Sequence, residues 1–204
     1  MELPDAQQII DTLYSEIRPY EISHQDRARI ATTDESFRYG EIDAEPFGRM
    51  LSEVPNLNNR IFYDLGSGTG RIVLLAALLF DFSKAVGIEH LDGLHRTAQE
   101  MLRRFNCEVK PALPIEKQKQ TIEFRRGDIR DADFSDGDIF YIHCTCFQPE
   151  LMTKLSMRLE ELKPGTLLLM TTKTLSSTKY EIRKSDIAQM DWGRTPVFLL
   201  EKIE

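Results

Sequence analysis

The run Tyr63-Asp64-Leu65-Gly66-Ser67-Gly68-Thr69-Gly70 sets one carboxylate ahead of three closely spaced glycines. The apolar Ile61-Phe62-Tyr63 leads into it, and an apolar stretch from Ile72 follows. This is the pattern of a strand feeding a tight turn that opens a helix. Glycine lets the backbone bend sharply and approach a ligand with no Cβ in the way. In an open α/β sheet, ligands bind at the carboxyl ends of the strands, beside such a turn. The dinucleotide fingerprint G-x-G-x-x-G is not met: its third glycine falls on Arg71 counted from Gly66, and on Val73 counted from Gly68. A pyrophosphate seeks the bare helix N-terminus, and Asp64 would repel it. A ligand bearing a sulfonium and an ammonium group suits Asp64 well. Two more acids stand at corresponding places, Glu89 at the end of the second expected strand and Asp128 just after the third. Taken singly, Asp64 also reads as a turn-stabilising carboxylate, Glu89 as a surface acid and Asp128 as a helix cap or turn residue.

The hydrophobic pattern supplies the elements that would position these acids. Apolar residues at helical spacing predict an amphipathic helix over 4–18 and a shorter one over Glu45–Val54, which Pro55 stops. The polar stretch between them, Arg18 to Ala44, is long for a plain connection and reads as either mobile or functional. Strands are expected at Ile61–Asp64, Lys84–Glu89, Thr121–Arg125, Asp138–Cys144 and Thr166–Thr172. Helices are expected at Arg71–Phe82, Asp92–Phe105 and Glu150–Leu162, and the charged, proline-containing segment 107–120 reads as surface. Strands that alternate with helices imply a parallel sheet covered on both faces. Two last extended runs, Ser185–Asp191 and Pro196–Ile203, have no helix between them. They should form an antiparallel hairpin turning at Gly193.

Composition bounds the class. A chain of 204 residues with 41% hydrophobic content supports one packed domain with a terminal extension. The 33 acidic and 26 basic residues leave a net charge of −7, which argues against direct nucleic-acid binding through bulk charge. No uncharged apolar run is long enough to span a membrane. The N-terminus MELPDAQQII is acidic where a secretory signal would be basic and apolar. Three cysteines form no framework and suit a reducing compartment. An intracellular protein, cytoplasmic or nuclear, is expected. His143-Cys144-Thr145-Cys146 lacks the pair spacing of a zinc site, and Cys107, His24, His90 and His95 supply no second pair. No metal is expected.

The glycine run, together with Glu89 and Asp128, resembles motif I and its partner acids in the class I S-adenosylmethionine-dependent methyltransferases. The resemblance implies that Glu89 holds the ribose hydroxyls, where a carboxylate can accept from both, and that Asp128 lies near the adenine amino group. Three further stretches are similar to the non-SET histone-lysine methyltransferases, the disruptor-of-telomeric-silencing family. Tyr39-Gly40-Glu41 resembles that family's loop over the methionine end of the cofactor. Ile139-Phe140 leading to Phe147-Gln148-Pro149-Glu150 resembles its fourth-strand motif. Lys163-Pro164-Gly165, a strand ending at Lys173, Trp192 and Pro196-Val197 resemble its C-terminal part. His143-Cys144 stand where the family has an asparagine pair, and Phe198-Leu199-Leu200 where it has aromatic residues.

The resemblance implies a Rossmann-like, seven-stranded class I methyltransferase sheet (α/β) with a C-terminal antiparallel hairpin. It also implies a helical extension over 1–56 that carries the cofactor-covering loop, and a methyltransferase domain over 57–204. S-adenosyl-L-methionine is the implied cofactor, held by Tyr39, Glu41, Asp64, Gly66, Ser67, Gly68, Thr69, Gly70, Glu89, Asp128 and His143. Tyr39, His143 and Cys144 are the candidate catalytic residues. Phe140, Phe147, Phe198 and Leu199 are candidates to line an apolar channel that lowers a lysine pKa by disfavouring its charged form. The implied acceptor is a lysine presented by a protein, a histone in the family. A small-molecule acceptor and a non-catalytic cofactor-binding protein remain open alternatives.

Overall fold

A computed structural model describes residues 1–190 and 193–204. The apolar runs become β1 (Ile61–Leu65), β2 (Lys84–Glu89), β3 (Thr121–Arg126), β4 (Ile139–Ile142) and β5 (Leu167–Thr171). These five pair in parallel, and the hairpin strands β6 (Tyr180–Met190) and β7 (Gly193–Lys202) complete the sheet in the order β3-β2-β1-β4-β5-β7-β6. β7 runs antiparallel to both β5 and β6. The order reverses between β1 and β4, so their carboxyl ends flank a crevice suited to a ligand.

The two-residue period of the strands assigns side chains to opposite faces. Phe62, Tyr141 and Leu169 join one core with α1 (Leu3–Leu13), α3 (Ala44–Ser52), α4 (Arg71–Leu79) and α5 (Asp92–Arg104). Tyr63, Phe140 and Leu168 join the other with Leu155 and Leu159 of α7 (Pro149–Leu159). Phe140 stacks on Tyr63 with ring centroids 5.5 Å apart, and Leu199 faces the first core. Neither lines a channel, contrary to expectation.

Three expectations about the elements need correction. The first helix stops at Leu13, and a separate α2 (Pro19–Arg29) occupies the stretch read as a connection. That helix buries Ser23 and Asp26 rather than an apolar stripe, so periodicity had nothing to report. Segment 107–120 is not all surface: α6 (Ile115–Lys119) buries Lys117, whose ammonium bonds Asp81 at 2.9 Å and the Ala77 carbonyl at 3.1 Å. β6 and β7 both begin earlier than expected, at Tyr180 and Gly193. Asp191 and Trp192 lie outside the described residues. Among the described residues, no helix is long and apolar enough to cross a membrane.

Candidate functional site

The glycine turn is held by its neighbours' backbone. Gly66 and Ser67 donate to the Ile88 carbonyl at 2.9 and 3.0 Å, and Gly70 donates to the Ser67 carbonyl at 2.8 Å. Gly66, Gly68 and Gly70 have φ of 96°, 54° and 82°. Gly68 needs its missing side chain for a second reason, since a Cβ there would come within 2.4 Å of the Tyr39 ring. The Tyr39 hydroxyl donates to the Glu41 carboxylate and lies 3.2 Å from the Thr69 hydroxyl. Tyr39-Gly40-Glu41 therefore folds over the turn.

The three acids all reach the carboxyl edge of the sheet. Asp64 is buried, and its Oδ1 has no hydrogen-bond partner. Burial first, and then the charge of Glu89, push its carboxyl well above the usual carboxylate range. Glu89 accepts from the Gly68 N–H at 2.8 Å and the Leu91 N–H at 2.7 Å. Burial raises its pKa, and those backbone bonds oppose the rise. Asp128 accepts from the Arg130 backbone at 2.8 Å and from its guanidinium. Burial pushes Asp128 up, but the Arg130 bonds outweigh it and hold the carboxyl below its ordinary value.

Glu89 and Asp128 line a cleft of about 710 Å³, counting the space at its open mouth. Phe37, His90, Leu91, Ile129, Phe147 and Leu151 supply its walls. The Phe37 and His90 rings lie 4.9 Å apart. A deeper recess of about 290 Å³ adjoins the cleft, and Tyr39, Gly40, Gly66 and His143 line both. Asp64, Glu41, Ser67, Arg71 and Tyr141 are also among its lining residues. A carboxylate with an unpartnered buried oxygen fits an ammonium group here, since a buried acceptor left unpaired is costly. The residues present thus fit S-adenosylmethionine, with an acid at the end of each of the first two strands and one just past the third. Phe37, His90, Leu91 and Ile129 were missed in the sequence, where nothing periodic or motif-like marks them.

The wall opposite the glycine turn is built from the loop after β4, whose His143 lines both cavities. His143 Nδ1 lies 3.1 Å from the Tyr141 hydroxyl and 3.2 Å from the Thr171 hydroxyl. The Thr145 and Thr172 hydroxyls bond at 2.7 Å, and the Lys173 ammonium donates to the Phe147 carbonyl at 2.5 Å. The end of β5 thus braces the whole loop from His143 to Phe147. It does so from a strained turn: Thr172 has φ of 67°, a left-handed value that a β-branched residue rarely adopts. Cys144 is a correction. It lines neither cavity; its buried thiol donates to the Thr171 carbonyl at 2.8 Å, and burial pushes it up to about 11. Just past β4, Cys144 faces the end of β5 while its neighbour His143 lines both cavities. Of the apolar channel candidates, Phe147 alone lines the cleft; Phe198 packs against the second core. Among the described residues, no group of three or more His, Cys, Asp or Glu is placed to hold a metal ion.

The model of the family described as "Histone methylation protein DOT1" matches residues 28–192. The chain belongs to that family. α1 and most of α2 lie outside the matched segment. The histone-lysine N-methyltransferase of Caenorhabditis elegans, specific for H3 lysine-79, is 30% identical over 71% of this chain. The chain spans only 15% of that relative's length. A protein-lysine N-methyltransferase of Saccharolobus islandicus is 29% identical over 66% of this chain and 71% of its own. Among solved structures, an RNA methyltransferase of Salinibacter ruber in complex with S-adenosyl-L-homocysteine superposes with a TM-score of 0.59 and 25% identity. The match covers 78% of this chain and 92% of that one. The fold is therefore that of the class I methyltransferases, and family and fold together assign S-adenosylmethionine as the cofactor.

Proposed function

We propose that this DOT1-family chain transfers a methyl group from S-adenosylmethionine to the side-chain amine of a protein lysine. The observation that carries the reading is one recess: Asp64 with its unpartnered Oδ1, the Tyr39–Glu41 loop and His143 converge on it from three parts of the chain. The lysine acceptor is supported by the relatives, whose names specify histone or protein lysine. An acceptor of that kind supports a location in the cytoplasm or nucleus.

The cofactor supplies a methyl on a sulfonium sulphur, already activated for in-line displacement by an amine. The chain's own residues bind, orient and move a proton. Asp64 accepts the ammonium of the methionine portion, and Tyr39 and Glu41 close over it. Glu89 takes the ribose hydroxyls on oxygens already anchored by Gly68 and Leu91 N–H groups. Asp128 takes the adenine amino group, with Phe37 and Leu151 beside it in the cleft wall. The acceptor arrives as an ammonium and must lose its proton before its nitrogen can attack. We assign His143 to take it: the tautomer that carries its proton on Nδ1, toward the Tyr141 and Thr171 hydroxyls, leaves Nε2 as the accepting nitrogen. The site works mainly by holding two reactants in line.

Radioactive S-adenosylmethionine offered with histones, nucleosomes and fractionated cell extract tests the reading, with Asp64→Ala as control. A labelled protein band that the control lacks is the expected result, and peptide mapping then places the label on lysine. Label confined to small molecules would overturn the lysine assignment. S-adenosylhomocysteine binding with no label in any fraction would overturn catalysis.

A further inference from the structure

Thr69 sits fully buried in the middle of the glycine turn, and its hydroxyl and its carbonyl are each engaged from outside the sheet. Its hydroxyl meets the Tyr39 hydroxyl at 3.2 Å. Its carbonyl accepts from the Tyr14 hydroxyl at 2.9 Å, a buried bond that spans 55 residues of sequence. Tyr14 caps α1, with its own N–H on the Ile10 carbonyl at 3.0 Å. The helix is fixed from several directions. Ala6, Ile10 and Leu13 are buried against α3 and α4. The Leu13 carbonyl accepts from Arg104 at 3.1 Å, and Asp11 pairs with Arg71 at 2.5 Å. The same Arg71 guanidinium lies 5.8 Å from the centre of the Tyr14 ring. Arg71 is the first residue of α4, immediately after Gly70.

We propose that Tyr14 is a positioning residue for the cofactor, and that α1, outside the segment shared with the family, is a working part of the cofactor site. The turn contains three glycines at positive φ, so left to itself it would sample many conformations. A ligand that needs one of them must order the rest when it binds. Ties that hold the turn in advance remove that penalty and raise affinity without touching the ligand. Two ties come from main chain, at Ile88 and Ser67, and one from Glu89. The Tyr39 hydroxyl adds another at the Thr69 side chain, and Tyr14 holds the Thr69 carbonyl. Burial, followed by the nearby charge of Glu41, keeps the Tyr14 phenol protonated and therefore a donor. Thr69 is the node where α1, the Tyr39 loop and the turn meet.

The measurement is S-adenosylhomocysteine affinity of the full chain by calorimetry, for wild type, Tyr14→Phe and Ile10→Val. Tyr14→Phe keeps the ring and removes only the donor; its dissociation constant should rise about 5- to 10-fold, the effect of one buried hydrogen bond. Ile10→Val trims the same helix without touching Thr69, and its affinity should stay within twofold of wild type even where its melting temperature falls. Amide exchange of ligand-free protein gives a readout independent of any ligand: residues 66–70 should exchange faster in Tyr14→Phe and not in Ile10→Val. Wild-type affinity and wild-type exchange in Tyr14→Phe would overturn the proposal, as would equal losses of affinity in the two variants. The proposal rests on S-adenosylmethionine as the cofactor. A wild-type chain that fails to bind S-adenosylhomocysteine would overturn that assignment and this proposal together, an outcome distinct from a Tyr14→Phe variant that binds normally.

Discussion

At the donor side of the cleft the main chain does most of the holding, whereas at the acceptor side the side chains do. Gly66, Ser67, Gly68 and Leu91 present N–H groups that lock β1, the turn and Glu89 together. Across the cleft, the loop after β4 is tied to the end of β5 through His143, Cys144, Thr145 and Lys173, each using a side-chain atom. Main-chain ties survive substitution of many residues; side-chain ties change with one. The donor side is therefore suited to one ligand, and the acceptor side can be retuned residue by residue without altering the sheet.

If the contrast holds, variants on the two sides should separate cofactor affinity from turnover. The largest effect belongs to Asp64→Asn. Leaving a cofactor ammonium buried without its carboxylate should weaken S-adenosylhomocysteine binding by about three orders of magnitude. The melting temperature should hold or rise. Asp64 is an acid whose folded pKa lies above its unfolded one, so its ionisation costs stability as pH climbs from the unfolded value through the folded one. Equal losses of affinity and stability would blur the contrast. Next comes His143→Ala, for which turnover should fall about 100-fold, the usual worth of a positioned base, with cofactor affinity within twofold. A parallel loss of cofactor binding would move His143 to the donor side. Lys173→Met should lower turnover by about tenfold through the loosened Phe147 loop, and Lys173→Arg should restore most of it. The smallest effect is on pH. A cationic ligand favours ionised Asp64, so binding should release a fraction of a proton and tighten, by less than about tenfold per unit, as pH rises toward the raised pKa. Calorimetry in buffers of different ionisation enthalpy reads that proton directly.

The donor side was legible in the sequence because its information is local. The turn glycines, Asp64 and the strand ends of Glu89 and Asp128 are fixed by residue type and short spacing. The acceptor side was legible only in outline, because its ties join residues 26 to 28 positions apart, such as Lys173 to Phe147 and Thr171 to His143. Cys144 shows the same gap. Its neighbourhood in sequence points to the site, but its orientation depends on how β4 ends against β5. α2 was lost for a different reason. Asp26 docks it by accepting the Gly93 N–H at 2.5 Å at the start of α5, a polar attachment that leaves no hydrophobic period to detect. The charge and prolines of segment 107–120 point to the surface, yet the Lys117 ammonium finds both a carbonyl and a carboxylate beneath α4.

The left-handed backbone at Thr172 has a consequence for how this protein would respond to selection. A non-glycine residue held at such an angle stores on the order of 1–3 kcal/mol, which the surrounding fold must offset. Glycine would release most of that strain and would also delete the hydroxyl that grips Thr145. A library screened for heat resistance alone should therefore drift toward Thr172→Gly, and a library screened for methyl transfer should drift back. Position 172 is thus a place where thermal robustness and catalytic competence pull the sequence in opposite directions.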